Sequence, residues 1–264
     1  MTRSAAPRRR AAAPATPADP QALALILDEY AWESRLPLTV LLFLGPMIVL
    51  YEVGTAYYAS DWVYHTETRV LAFSLMRQFM YLFGLPSRWM PGLAVIFILF
   101  FWHLARGDPW RWRFGTAGTM LLESAMLAFP ILAWSRIQGS IFPLYAGEGL
   151  WRGGMVLSLG AGIYEEAIFR LVAFTVADII LIDLLRVSRR PAYVIIILGS
   201  SALFAAYHHW SPQAVAFAWP DFVFRTMSGI YFGMLFLWRG FGVTAGTHVA
   251  YDMYFFLARA VATP

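Results

Sequence analysis

Seven stretches of the chain are apolar over most of the roughly 20 residues that a helical membrane span needs. They cover 37–58, 91–105, 114–135, 155–185, 191–209, 221–238 and 243–262. This pattern predicts an all-α fold, a polytopic transmembrane helical bundle of about seven spans, six to eight allowing for ambiguous segments. The fourth stretch is too long for one straight span and is expected to break or to project beyond the bilayer. Residues 65–86 are apolar but carry His65, Glu67, Arg69 and Arg77, the pattern of an interfacial segment or a weakly inserted extra helix. Residues 21–36 read as a short helix lying along the membrane surface. Residues 1–20, with Arg3, Arg8, Arg9 and Arg10 among Ala, Pro and Thr, read as a disordered basic tail. The apolar run from Ala22 to Leu27 is stopped by Asp28 and Glu29. It falls short of the about 7–15 residues of a signal peptide, so no cleavage is expected. Residues 21–264 then form a single transmembrane domain.

Composition agrees. Hydrophobic residues make up 59% and charged residues 14%, against about 45–50% and 25% in soluble domains. With no cysteine among the 264 residues, disulfides, thiolate catalysis and Cys-ligated zinc are excluded. All 20 basic residues are arginine, and there is neither lysine nor asparagine. Both absent residues use AT-rich codons, which points to a GC-rich, bacterial genome and a bacterial cytoplasmic membrane. The formal charge of +4 is no nucleic-acid signal, because the arginines sit in the tail and in short loops. They cluster at Arg106, Arg111 and Arg113, at Arg186, Arg189 and Arg190, and at Arg239. With seven spans these clusters share one side with the tail, and the positive-inside rule makes that side, and the N-terminus, cytoplasmic.

Ionisable residues at membrane depth cost about 2.5–3.5 kcal/mol or more on insertion scales, so each one calls for a reason. Glu52, Glu123, Asp178, Asp183 and Arg225 are scattered and read as snorkelling or interhelical polar contacts. The others fall into three groups: Glu165, Glu166 and Arg170; His208 and His209; His248 and Asp252. Glu166 and Arg170 are four apart on one helix face and can neutralise one another. Glu165 lies about 100° further round, away from that pair. Gly160 and Gly162 would let a neighbouring helix come close. At most one of the adjacent histidines can face Glu165, and His248 shares a face with Asp252. Singly, these groups also suit a structural salt bridge, an interfacial histidine and a structural hydrogen bond. Together they supply the carboxylates and histidines that activate a water and steady a tetrahedral intermediate.

In that order, Glu165-Glu166 with Arg170, Phe204 with His208, and His248 with Asp252 resemble the motifs of the CAAX-protease and bacteriocin-processing (CPBP, or Abi) intramembrane proteases. The resemblance covers about residues 150–260. It implies an all-helical membrane core with a cavity at the reactive groups and hydrolysis of a peptide bond in a membrane-associated protein or peptide. A prenylated CAAX protein is the substrate expected in a eukaryotic host. Carried over, Glu165 is the general base and His208 helps to hold and activate water. His248, with the residue four later, stabilises the oxyanion, while Glu166 and Arg170 support the architecture. Some members have Asn where this chain has Asp252, and an ionised Asp cannot donate a hydrogen bond. Three readings follow: a protonated Asp252, an Asp252 that orients His248, or a zinc site made of Glu165, His208, His248 and Asp252. Metal-free glutamate catalysis is the favoured one.

Other intramembrane proteases lack support. There is no His-Glu-x-x-His for a zinc enzyme and no rhomboid Gly-x-Ser-Gly. Tyr251-Asp252 lacks the Gly-x-Gly-Asp partner of presenilin-type enzymes. Five histidines are too few for a membrane di-iron oxygenase. The rivals are a catalytically inactive scaffold or immunity protein of the same fold, and a proton-coupled transporter. One geometric demand is left open. His208 ends its apolar run whereas His248 lies near the start of its own, so they meet only if a helix is bent, short or shifted, or if 210–220 re-enters the membrane.

Overall fold

The computed structural model describes residues 20–58, 60–61, 66–141, 151–209 and 217–262. The basic tail up to residue 19, His65 and residues 210–216 of the supposed re-entrant segment lie outside the described residues. The remainder is helical apart from a two-residue antiparallel ladder, β1 (Ser60–Asp61) with β2 (Thr66–Glu67).

Each apolar stretch is helix. In chain order the helices are α1 (Pro20–Glu33), α2 (Pro37–Tyr58), α3 (Leu71–Leu82), α4 (Met90–Arg106), α5 (Phe114–Leu127) and α6 (Phe129–Ile141). Then come α7 (Trp151–Gly160), α8 (Ala173–Asp178), α9 (Arg189–Tyr207), α10 (Trp219–Arg239) and α11 (Phe241–Ala262). The third stretch divides at Ala128 because Pro130 lacks an N–H and its ring disfavours helical backbone just before it. The long fourth stretch is neither broken nor a plain α-helix. Between α7 and α8 the chain winds as π-helix at Ala161–Glu165 and Ala167–Val172, and again at Ile179–Leu184.

Three helical segments are long and apolar enough to cross a membrane: Pro37–Tyr58, Phe114–Gly139 and Arg189–Tyr207. Met90–Arg106 is a shorter apolar helix. The outer surface is apolar well beyond those segments, with Phe79, Ile180, Val223, Met234 and Trp238 all exposed. Water does not tolerate so extensive an apolar surface, whereas hydrocarbon does.

Inside, α11 packs against α5, α7 and the first π segment, α9 packs against α10, and α2 packs against α4 and α7. Tyr51, Phe73 and Tyr164 form a buried aromatic trio with ring centroids 5.1–5.6 Å apart. On its rim Glu52 accepts from Arg69 at 2.8 Å, so this intramembrane carboxylate belongs to an interhelical contact. Arg239, counted above as a loop charge, is instead buried. It donates to both carboxylate oxygens of Glu123, at 2.6 and 2.9 Å, and to Ser34 at 3.1 Å. Tyr30 donates to the same carboxylate, which fastens α1 to the ends of α5 and α10. Gly240 turns α10 into α11 with φ +83°, a conformation costly for a residue with a Cβ.

Gly162 decides how close α11 can come. A Cβ there would lie 2.6 Å from the backbone nitrogen of Val249 and 2.8 Å from the Ala245 carbonyl. Backbone atoms cannot swing aside, so Gly162→Ala is expected to cost about 1–3 kcal/mol of stability. It should also slow any reaction that needs His248, which rides on the displaced helix. A variant that melts and turns over like the wild type would show that α11 tolerates the shift.

Candidate active site

The site grows out of the two π-helical segments. π-Helical turns are rare and cluster at functional positions, and the weak helix formers Gly160 and Gly162 adjoin these. Glu165 closes the first segment and Arg170 lies in the second, with Glu166 between them. Glu166 Oε2 and Arg170 Nε form an ion pair at 3.2 Å with both side chains fully buried. Arg170 also donates through Nη2 to the Gly229 carbonyl of α10 at 2.9 Å. Its guanidinium lies 4.9 Å from the Phe204 ring and 5.7 Å from that of Phe232, so aromatic faces share in stabilising the charge.

The other oxygen of Glu166 reaches His248, with Nδ1 to Oε1 at 2.8 Å. Glu166 therefore links Arg170 to His248. The His248 ring stacks on Phe232, centroids 4.6 Å apart and planes inclined by 18°. With Nδ1 engaged, its Nε2 faces Glu165 Oε2 at 3.9 Å and Asp252 Oδ2 at 3.7 Å. His208 follows the last turn of α9. Its Nδ1 lies 2.8 Å from the Phe204 carbonyl, an acceptor, so in the neutral ring Nδ1 carries the hydrogen and Nε2 presents a lone pair. That Nε2 is 3.8 Å from Glu165 Oε2. The two histidines thus flank one carboxylate oxygen at distances too long for a direct hydrogen bond and suited to a bridging water. The other oxygen, Oε1, accepts from the Tyr207 hydroxyl at 3.2 Å.

All four groups open onto one cavity of about 110 Å³, also lined by Arg225 and Ser228. That is room for a few waters or a reacting carbonyl group. Among the described residues no group of three or more His, Asp and Glu is arranged to hold a metal ion, and no step below runs through one.

A family model described as type II CAAX prenyl endopeptidase Rce1-like matches residues 147–254. Over those residues the chain is similar to the Rce1-like domain, which supports the CPBP/CAAX protease family. No curated protein and no solved structure gives a significant match. The family is one of proteases, and this likeness together with three helices long and apolar enough to cross a membrane supports an integral membrane peptide hydrolase.

The matched segment contains every residue that the sequence motifs singled out, and the structure brings Glu165, His208, His248 and Asp252 together with Glu166 and Arg170 behind them. His209 turns away and packs on Phe217 and Phe222. The difference in depth is met with both helices unbroken. His208 lies 19 residues beyond the start of α9 and His248 seven beyond that of α11. At about 1.5 Å per residue the two helices are therefore offset or inclined by the equivalent of about 18 Å. Tyr207, Arg225 and Ser228 escaped the sequence reading as site residues. Arg225 and Ser228 are three apart on α10, hence on one helix face, but neither belongs to a motif. Arg225 pairs with Asp221 at 3.1 Å.

Proposed function

We propose that the protein is an intramembrane endopeptidase that hydrolyses a peptide bond of a membrane-associated protein or peptide. Water is activated by Glu165 and His208. The observation that carries this reading is the flanking of Glu165 Oε2 by two imidazole Nε2 atoms, at 3.8 and 3.9 Å, in a small buried cavity.

A water held between Glu165 Oε2 and His208 Nε2 donates to both acceptors and aims its own lone pair into the cavity. As its oxygen bonds to the peptide carbonyl carbon, one proton passes to Glu165 and the carbonyl π pair moves onto oxygen. Protonated His248 donates from Nε2 to that oxyanion, while Glu166 and Asp252 balance its charge. Asp252 accordingly orients His248 and accepts. When the C–N bond breaks, the proton on Glu165 moves to the leaving nitrogen, giving an amine and a carboxylic acid with no covalent enzyme intermediate. Such positioned general-base chemistry contributes about 10²–10⁴ in rate. We place the protein in a bacterial cytoplasmic membrane, a reading that rests on the absence of lysine and asparagine. About seven spans with the N-terminus inside are supported by the arginines of the tail, of 106–113 and of 186–190, without Arg239.

Cells making the wild type or Glu165→Gln at equal levels should differ in their protein termini. New termini found only with the wild type would name the substrate and the cleaved bond. No difference in the native host, with the variant folded, would shift the reading to an inactive scaffold of the same fold or to a proton-coupled transporter. Treatment with a strong zinc chelator is expected to leave cleavage unchanged. Stoichiometric zinc that leaves together with activity would overturn the metal-free mechanism.

A further inference from the structure

Hydroxyl side chains inside helices commonly satisfy themselves by donating to a carbonyl one turn back. This protein follows that habit. Thr55 donates to Tyr51, Ser158 to Gly154, Thr175 to Leu171, Ser201 to Ile197, Thr226 to Phe222 and Thr247 to Val243, all at 2.5–2.9 Å. Ser228 does not. It is 6% exposed, and among the described residues its Oγ is the one buried serine or threonine oxygen with no hydrogen-bond partner. An unmade bond at a buried hydroxyl destabilises the fold. Ser228 is also one of the residues lining the cavity that holds Glu165, His208, His248 and Asp252, so a small turn about its Cα–Cβ bond brings the hydroxyl to a bound group.

The cavity is short of donors. The carboxylates of Glu165 and Asp252 only accept. His208 turns its Nδ1 hydrogen to the Phe204 carbonyl, and Tyr207 gives its hydroxyl to Glu165. Arg225 gives Nε and Nη2 to Asp221, so only part of its guanidinium is left for the cavity. His248 commits Nδ1 to Glu166 and has only Nε2 for the reaction. An oxyanion is best held by donors already aimed at it, and the His248 Nε2 hydrogen with the remainder of the Arg225 guanidinium is a small set. Ser228 stands on the adjoining wall, one turn before Phe232, whose ring stacks on His248. The backbone beside it is pinned, because Arg170 holds the carbonyl of Gly229.

We propose that the Ser228 hydroxyl is a second catalytic donor, which meets the carbonyl oxygen of the scissile peptide alongside His248 as water adds to the carbon. The proposal rests on the peptidase reading above. The π pair of the carbonyl settles on oxygen, the proton of the water goes to Glu165, and Ser228 keeps its own proton throughout.

The test is turnover of a peptide spanning a cleavage site defined by the Glu165-dependent termini, with full-length protein in bilayer discs. Ser228→Ala is expected to lower kcat by about 10²–10³-fold, the usual loss for one oxyanion donor, with KM little changed. Its melting temperature should hold or rise by about 2–4 °C, since the variant deletes an unmade bond. Ser228→Thr, which keeps the hydroxyl, should recover most of the rate. Asp252→Asn brings an amide donor into the same cavity, and on that background Ser228→Ala should cost less. A purely structural serine would lower melting and rate together. A Ser228→Ala protein with wild-type kcat, beside an inactive Glu165→Gln, overturns the assignment and leaves the peptidase reading standing. If no Glu165-dependent cleavage exists, both readings fall.

Discussion

Glu165→Gln is expected to reduce peptide-bond hydrolysis by at least about 10³-fold while leaving the protein folded, because it removes the base and little else. Glutamine has the shape of glutamate and keeps an oxygen for the Tyr207 hydroxyl, which donates at 3.2 Å in the native site. Toward the histidines the change is larger. In the proposed mechanism Oε2 accepts from a water shared with His208; the amide would present hydrogens there instead, so that water could neither be held in the same orientation nor deprotonated. The measurement is single-turnover cleavage of the peptide found by terminus analysis, with thermal unfolding recorded on the same sample. A rate within tenfold of the wild type would remove Glu165 from the mechanism.

Glu166→Gln should act through stability. Glu166 is the ion-pair partner of a fully buried arginine and also the acceptor for His248. Removing one member of a buried pair leaves the other charge uncompensated, at a cost of about 3–5 kcal/mol. For a protein of this size that is a fall in melting temperature of roughly 10 °C. Replacing both members, as Glu166→Leu with Arg170→Met, removes the stranded charge and should return much of the stability. It should not return activity, because His248 still lacks its Nδ1 acceptor. A single Glu166→Gln variant that melts like the wild type would show that Arg170 is stabilised by its aromatic neighbours and the Gly229 carbonyl alone.

The helical character of the chain was legible because spans must be long and apolar, and every apolar stretch is indeed helix. The pairing of Glu166 with Arg170 and the turning away of Glu165 were legible too, since four residues set a shared face and one residue sets a different one. The contact of Glu166 with His248 was not, because it joins residues 82 apart through a helix approach that depends on Gly162. π-Helix leaves no periodic mark in a run that is apolar all round. Tyr207 and Ser228 carry no signal in the sequence for a like reason: one polar atom on a buried face says nothing until its partners, or their absence, are seen. Arg239 misled in the opposite direction. Its place at the end of an apolar run is what a loop charge shows, and only the fold reveals Glu123 waiting for it.

That last pairing separates two boundaries that are easily taken as one. Family likeness begins at residue 147, yet the counter-ion of Arg239 is on α5 and its remaining partners, Ser34 and Tyr30, precede the first long span. The grooves that seat α11 at Gly242 and Gly246 are likewise walled by Val40, Phe43, Met120 and Ser124, all upstream. A fragment confined to the recognisable segment would strip the Arg239 guanidinium of its counter-ion and leave the helix bearing His248 without its rear support. The portion of the chain that can be recognised is therefore smaller than the portion that must fold together. The undiagnostic first half serves as the mould in which the reactive half takes its shape.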